Sequence, residues 1–213
     1  MPKLELKKLK KFFESPYVAL YRGYFQSRDM DRLIEYDFIS RHRDLTEEKM
    51  RAQGAPDAPA PGEYADAVSI LPVDRAGRKI LLTHEFRMPL NRYLLSEPAG
   101  LMEPGESPLE TVRRELREET GYEAEKVALF PATYSSAGLT DERVASAIVT
   151  VGAHGETALE ASEDIESRWY SYEEALRLVQ DPRTAVSNRT QLIVMLWVTA
   201  ERAGTADRLF DFQ

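Results

Sequence analysis

Residues Gly100–Tyr122 read GLMEPGESPLETVRRELREETGY, a loop, one short helix and a stop. Ser107 can cap a helix, and Glu110 three residues on is the reciprocal partner of a capping box. Pro108 falls at the first helical position, where its missing N–H costs nothing. Gly121 suits the left-handed residue that follows a helix end. Leu109, Val112 and Leu116 recur at i, i+3 and i+7, which predicts one face packed on a core. Glu115 and Glu119 are four apart and Glu118 is three from Glu115, so these carboxylates gather on one side of the helix. Like charges at that spacing cost an isolated helix about 0.2–0.5 kcal/mol per pair. Two readings accommodate them. One is a solvated face laced with Arg113, Arg114 and Arg117. The other is a hard-cation site, since Mg²⁺ takes carboxylate oxygens together with waters and substrate phosphates.

The pattern of the stretch favours the second reading. It resembles the Nudix box, G-x5-E-x7-R-E-U-x-E-E-x-G-U with U apolar or aromatic. Gly100, Glu106, Arg114, Glu115, Leu116, Glu118, Glu119, Gly121 and Tyr122 fill its fixed positions. The resemblance implies that Glu115 and Glu119 bind metal, with the Ala99 carbonyl as a backbone ligand and Glu118 as a third carboxylate, direct or through water. It also implies that Glu106 and Arg114 form a structural pair tying loop to helix. PAGLMEPGE is the form the box takes in the ADP-ribose pyrophosphatase branch of that family. EFRMP resembles a segment whose arginine faces substrate, which makes Arg87 a candidate diphosphate contact. SEDIE resembles the loop whose glutamate serves metal and water in that branch, and Glu163 is the matching position. The plain alternative is that Glu160, Glu163, Asp164 and Glu166 are ordinary loop charges, and that Arg87 is a surface arginine. SSAGLTDER over residues 135–143 resembles the loop that follows the box in the same branch. Ala137 departs from the proline usual there, which bears on the choice of substrate. Glu142 in this loop is a further acidic candidate or a solvated charge.

The totals bound the rest. The 213 residues fit one domain, or one domain with a small extension, and 43% hydrophobic content is enough for a real core. No apolar run reaches eighteen residues, so no membrane span is expected, and MPKLELKKLKKFF lacks the features of a secretory signal. The chain has no cysteine, which excludes disulfides and thiolate zinc sites and fits a cytoplasmic protein. A net charge of −8 argues against general nucleic-acid binding, which needs a basic footprint. An acidic protein that handles phosphates needs local cations, which bound Mg²⁺, or Mn²⁺ in its place, would supply.

Taken in order, Lys3, Lys7, Lys8, Lys10 and Lys11 read as a solvated arm or an anionic-surface contact. Residues 17–26 and 32–41 read as a hairpin turning at SRDMD, which needs something to pack on. Its Tyr17, Tyr21, Tyr24 and Phe25 suit core, a dimer interface or base stacking. RDLTEEKM reads as a short helix and AQGAPDAPAPG as a linker. Strands follow over 64–73, 79–88 and 92–97, the first two joined by a turn at Asp74–Arg78 containing Gly77. After the box come strands over 125–135 and 143–153, a long polar loop GAHGETALEASEDIE, a strand at ESRWYSY and two helices, YEEALRLVQ and NRTQLIVMLWVTAER. His42, His84 and His154 lack metal-ligand spacing, and Trp169 and Trp197 read as core.

The expected fold is α/β, a Nudix-type α/β/α sandwich with a mixed sheet, preceded by a small N-terminal β hairpin or sheet region. Residues 1–62 are the expected N-terminal β region and linker, and 63–213 the hydrolase domain. The branch resemblance implies a homodimer through the N-terminal region, with the hairpin exchanged between subunits. The expected activity is Mg²⁺-dependent cleavage of ADP-ribose or a related nucleoside diphosphate sugar to a nucleoside monophosphate and a sugar phosphate. GDP-mannose, a dinucleotide or a nucleoside triphosphate is the alternative substrate, and an ADP-ribose sensor without turnover is the alternative class.

Overall fold

The computed structural model describes residues 3–55, 58, 60–76 and 78–206. In chain order the elements are β1 (Leu4–Glu14), β2 (Ala19–Ser27), β3 (Leu33–Ser40), α1 (Glu47–Gln53), β4 (Ala67–Asp74), β5 (Lys79–Arg87), β6 (Arg92–Ser96) and β7 (Ala99–Leu101). They continue with α2 (Pro108–Thr120), β8 (Tyr122–Leu129), β9 (Thr133–Tyr134), β10 (Arg143–His154), β11 (Ile165–Ser171), α3 (Tyr172–Gln180) and α4 (Asn188–Arg202). Gly77 in the expected turn between β4 and β5, and Pro56, Asp57 and Pro59 in the expected linker, lie outside the described residues.

The chain forms two compact units. One comprises residues 1–66 and 131–144; the other comprises 67–130 and 145–213. The first is built on an antiparallel sheet in the order β1-β2-β3. The lysine-rich start is therefore a paired strand rather than a free arm, and the expected hairpin is three-stranded. Two bulges hid it. The register with β2 skips Lys7 between Leu6 and Lys8, and skips Phe12 between Lys11 and Phe13. Each extra residue resets which face the side chains take, so the period of two that marks a strand is lost. The Leu9 N–H just past the first bulge donates to Glu47 of α1 at 3.0 Å, and Arg51 donates to the Leu6 carbonyl. A small core of Ala19, Tyr21, Phe38 and Leu45 fills the unit, with Tyr21 and Phe38 stacked at 5.6 Å.

The 131–144 segment folds onto this sheet. The Ile39 N–H donates to the Leu139 carbonyl, the Tyr36 hydroxyl to the Gly138 carbonyl, and Ser40 to the Asp141 carboxylate. Asp66 and Arg143 exchange backbone and side-chain bonds at 2.8 Å. The box-following loop thus shares a compact unit with β1–β3.

The second unit is built on a mixed sheet whose main path is β11-β5-β4-β10-β8. Strand β4 is buried along Ala67–Val73, as a strand covered on both faces must be. Pro72, which has no N–H to give, sits between the residues of β4 that pair with β7 and those that pair with β5. Alternation puts Ile80 and Leu82 of β5 on one face, where they join Leu71, Val73, Trp197 and Val198 under α3 and α4. Helix α2 packs against β4, β7, β8 and β11, which makes the unit an α/β/α sandwich. Among the described residues no helix is long and apolar enough to cross a membrane.

Glu97 is the buried charge that fixes the segment leading into the box. It is 1% exposed and accepts from Ser69 of β4 at 2.8 Å and from Arg189 and Thr190 of α4. Each carboxylate oxygen is occupied, so the burial is compensated. Removing one partner of such a pair costs about 3–5 kcal/mol.

Candidate active site

Helix α2 begins and ends as its sequence dictates. Ser107 and Glu110 form the reciprocal capping box, Pro108 opens the helix and Gly121 closes it at φ 74°. The buried face carries Thr111, Val112, Glu115, Leu116, Glu119 and Thr120. Leu109, expected on that face, is 40% exposed. Glu115 and Glu119 thus share the buried helix face with Val112 and Leu116. Glu115 is 8% exposed and Glu119 is 4% exposed.

Two glycines make this close packing possible. A Cβ on Gly100 would stand 1.9 Å from the Glu115 carboxylate, so any side chain there would displace it. At Gly121 a Cβ would meet the Gly155 carbonyl at 2.4 Å. The Gly121 carbonyl in turn accepts from the Gly155 N–H at 2.7 Å, and the Glu118 carbonyl accepts from Ala158 at 2.8 Å. These bonds anchor the long 155–164 loop to the end of α2, and that loop brings Glu163.

Arg114 organises the charges. It makes a bidentate pair with Glu106, at 2.8 and 2.9 Å, and donates to Glu115 at 2.7 Å, to Glu118 at 3.1 Å and to the Leu101 carbonyl at 2.9 Å. Glu106 also accepts from Thr111 and from the Glu103 N–H. The Arg114 guanidinium and these further donors hold the Glu106 carboxyl down at about 2.

The buried carboxylates are pushed the other way. Desolvation raises Glu119 well above the ordinary 4.5, with the charges of Glu115, Glu85 and Glu163 adding to it, against one backbone bond from the Ala99 N–H at 3.2 Å. Burial raises Glu115 too, partly offset by Arg114. Glu85 of β5, half-buried, is raised by desolvation and by the Glu163 charge. So Glu115, Glu119 and Glu163 lie within one another's electrostatic reach, and Glu118 joins through Arg114.

Glu85 was not singled out from the sequence. Its signal was available: it is two residues from Arg87 on one strand, hence on the same face, and the two pair at 2.6 Å. Glu163 accepts from the Glu160 N–H at 2.8 Å, which shapes the turn it sits on. Glu142 is held by Arg41 and Ser135 inside the N-terminal unit. Ala137 lines an apolar cavity of about 410 Å³ in that unit, along with Phe25, Tyr36, Phe38 and Tyr134. That cavity contains none of the box carboxylates. His84 bonds Tyr170, His154 packs on Tyr122, and His42 lies 3.7 Å from Asp66. Trp197 is core, while Trp169 is half-buried and donates to the Tyr122 hydroxyl.

Residues 63–190 match the NUDIX domain family. The chain belongs to that family. It is 39% identical over 120 residues to a Bacillus subtilis protein named ADP-ribose pyrophosphatase, covering 55% of this chain and 64% of that one. It is 40% identical over 100 residues to a Mus musculus ADP-sugar pyrophosphatase, covering 46% of this chain and 45% of that one. The alignments thus span less than two thirds of either relative. A crystal structure of an ADP compounds hydrolase superposes with a TM-score of 0.69 at 16% identity, over 96% of this chain and 98% of that one, a likeness of fold.

Nudix hydrolases work with divalent cations, and the donor set here fits one. The groups are hard oxygen donors, and several are held against both burial and mutual repulsion. Among the described residues no three acidic or histidine side chains are already gathered at ligand spacing. Arg114 instead spans Glu115 and Glu118.

The raised carboxyls set a pH dependence. Above about the ordinary carboxylate pKa the folded protein retains protons that the unfolded chain has released, so stability falls as pH rises through that window. In chelator, the melting temperature is expected to fall from about pH 5 towards pH 8, and Glu119→Gln to flatten that fall. Added Mg²⁺ or Mn²⁺ is expected to raise it more at the higher pH. Thermal unfolding by circular dichroism measures both; an equal cation gain at the two pH values would contradict the assignment.

Proposed function

We propose that the chain is a Mg²⁺-dependent pyrophosphohydrolase acting on ADP-ribose or a related nucleoside diphosphate sugar. The observation that carries this is the pair of buried carboxylates, Glu115 and Glu119, on the sheet-facing side of the box helix with Glu163 in reach. The names of the two relatives support the substrate class.

Glu115, Glu119, Glu163 and the Ala99 carbonyl would hold the cation, Mg²⁺ or in its place Mn²⁺, with Glu118 beside them. When bound, the cation supplies charge neutralisation at the diphosphate oxygens and acidifies water. Glu163 would take the proton of the attacking water, and its hydrogen bond from the Glu160 N–H supports a fixed carboxylate there. The water oxygen bonds to one phosphorus, the bridging P–O bond breaks, and its electron pair leaves with the other phosphate. ADP-ribose and water thus become a nucleoside monophosphate and a sugar phosphate. Arg87, 41% exposed at its side chain, offers a guanidinium to the diphosphate. Gly100, Glu106, Arg114 and Gly121 keep the loop and helix in place. A cysteine-free chain acting on a nucleotide fits a cytoplasmic site of action.

The domain reading is also ours: residues 63–213 carry the hydrolase, and the N-terminal β region serves dimerisation. Phe13, Tyr17, Leu20 and Leu33 are exposed on β1–β3 and their connections, an apolar surface that supports self-association.

Two experiments test these readings. Formation of nucleoside monophosphate is measured over a panel of nucleoside diphosphate sugars, dinucleotides and nucleotides, with Mg²⁺ and with chelator. ADP-ribose or a related sugar nucleotide is expected to lead in Mg²⁺ alone, and Glu163→Gln to cut kcat by about 10²–10⁴-fold. A leading triphosphate, or tight ADP-ribose binding without turnover, would overturn the substrate reading. For the second, light scattering of the full chain is expected to give twice the chain mass; a monomer would refute the dimer.

A further inference from the structure

Arg87 sits on β5 beside a carboxylate that the proposed chemistry leaves without a role. Glu85 and Arg87 are two residues apart on one strand, so their side chains leave the same face. A carboxylate oxygen of Glu85 lies 2.6 Å from the Arg87 guanidinium. The two differ in environment. The Glu85 side chain is 17% exposed and that of Arg87 is 41% exposed, so the anion is the anchored member and the cation the reaching one. The strand itself is fixed there. Glu85 is in register with Ile165 on one side and Leu94 on the other, and the Phe86 N–H donates to the Asp164 carbonyl at 3.0 Å.

A long arginine side chain loses much rotamer freedom when it binds, and a fixed anion reduces that loss in advance. Glu85 also stands beside the loop end that carries Glu163, since Ile165 is its register partner and Asp164 accepts from Phe86. A cation held by Glu85 is therefore held at the rim of the carboxylate cluster, where a diphosphate needs neutralising from the protein side. We propose that Glu85 is a positioning residue that acts through Arg87, fixing its guanidinium at the carboxylate cluster to receive the diphosphate. This rests on the pyrophosphohydrolase reading for the identity of the ligand. The rival role for Glu85, a direct ligand of the cation, makes opposite predictions.

The test is a double-mutant cycle with Glu85→Ala, Arg87→Ala and the pair, read by calorimetric binding of ADP in Mg²⁺ and by ADP-ribose kinetics. Arg87→Ala is expected to weaken ADP binding about tenfold, the scale of one charge-assisted contact. Glu85→Ala is expected to weaken it about threefold to tenfold, and the double variant to be no weaker than Arg87→Ala alone. KM rises while kcat stays within about threefold, since uniform binding is what is lost. Glu85→Gln, which keeps an acceptor oxygen, recovers part of the loss. Losses that multiply in the double variant, or a kcat loss in Glu85→Ala with a higher half-saturating Mg²⁺ concentration, would overturn the positioning role while leaving the hydrolase reading intact. Wild-type protein that neither binds ADP nor turns over ADP-ribose would overturn both.

Discussion

One guanidinium carries the architecture of the site. Arg114 reaches Glu106 in the loop, Glu115 and Glu118 on its own helix and the Leu101 carbonyl of β7. Through it the loop that precedes α2 and the helix itself become one rigid piece. The Glu106 arm is structural, since that carboxyl is saturated with donors and held fully ionised. The Glu115 and Glu118 arms differ in kind: they are single contacts to carboxylates that a cation can also use. The same residue thus fastens the loop and neutralises part of the site.

The remaining order follows from burial. A carboxylate on the packed face of a helix is costly unless something compensates it. Glu97 is compensated within the chain by Ser69, Thr190 and Arg189, and it locks the segment that leads into Ala99 and Gly100. Glu119 differs: the Ala99 N–H donates to it at 3.2 Å, and the charges of Glu115, Glu85 and Glu163 act against its ionisation. The contrast between two buried glutamates of one unit separates scaffold from site. Gly100 completes the contrast, since its missing side chain is what lets the Glu115 carboxylate approach the backbone.

What was legible in the sequence was what is local. The capping box, the glycine stop and the carboxylate spacing of α2 lie within a few residues of one another, and the helix has them all. The paired Glu106 and Arg114 came from the motif. What was hidden is non-local or aperiodic. The two bulges of β1 erased its alternation. The attachment of 131–144 to β3 depends on pairings about a hundred residues apart, such as Tyr36 with Gly138. Glu85 in β5 and Glu97 just after β6 are acidic residues beside apolar stretches, and the partners of Glu97 lie far off in the sequence. A charge interrupting LLSEPAG or THEFRM was itself the signal, because an acid in a buried strand needs a partner.

The proposed function gives Glu119, buried and bonded to the Ala99 N–H, the role of a metal ligand. Direct binding of Mn²⁺, followed by the loss of its free electron-paramagnetic resonance signal, tests that without any substrate. Saturable binding is expected for the wild-type chain, with about a tenfold or greater loss in Glu119→Gln and an unchanged circular dichroism spectrum. Equal Mn²⁺ affinity in the two proteins would contradict it.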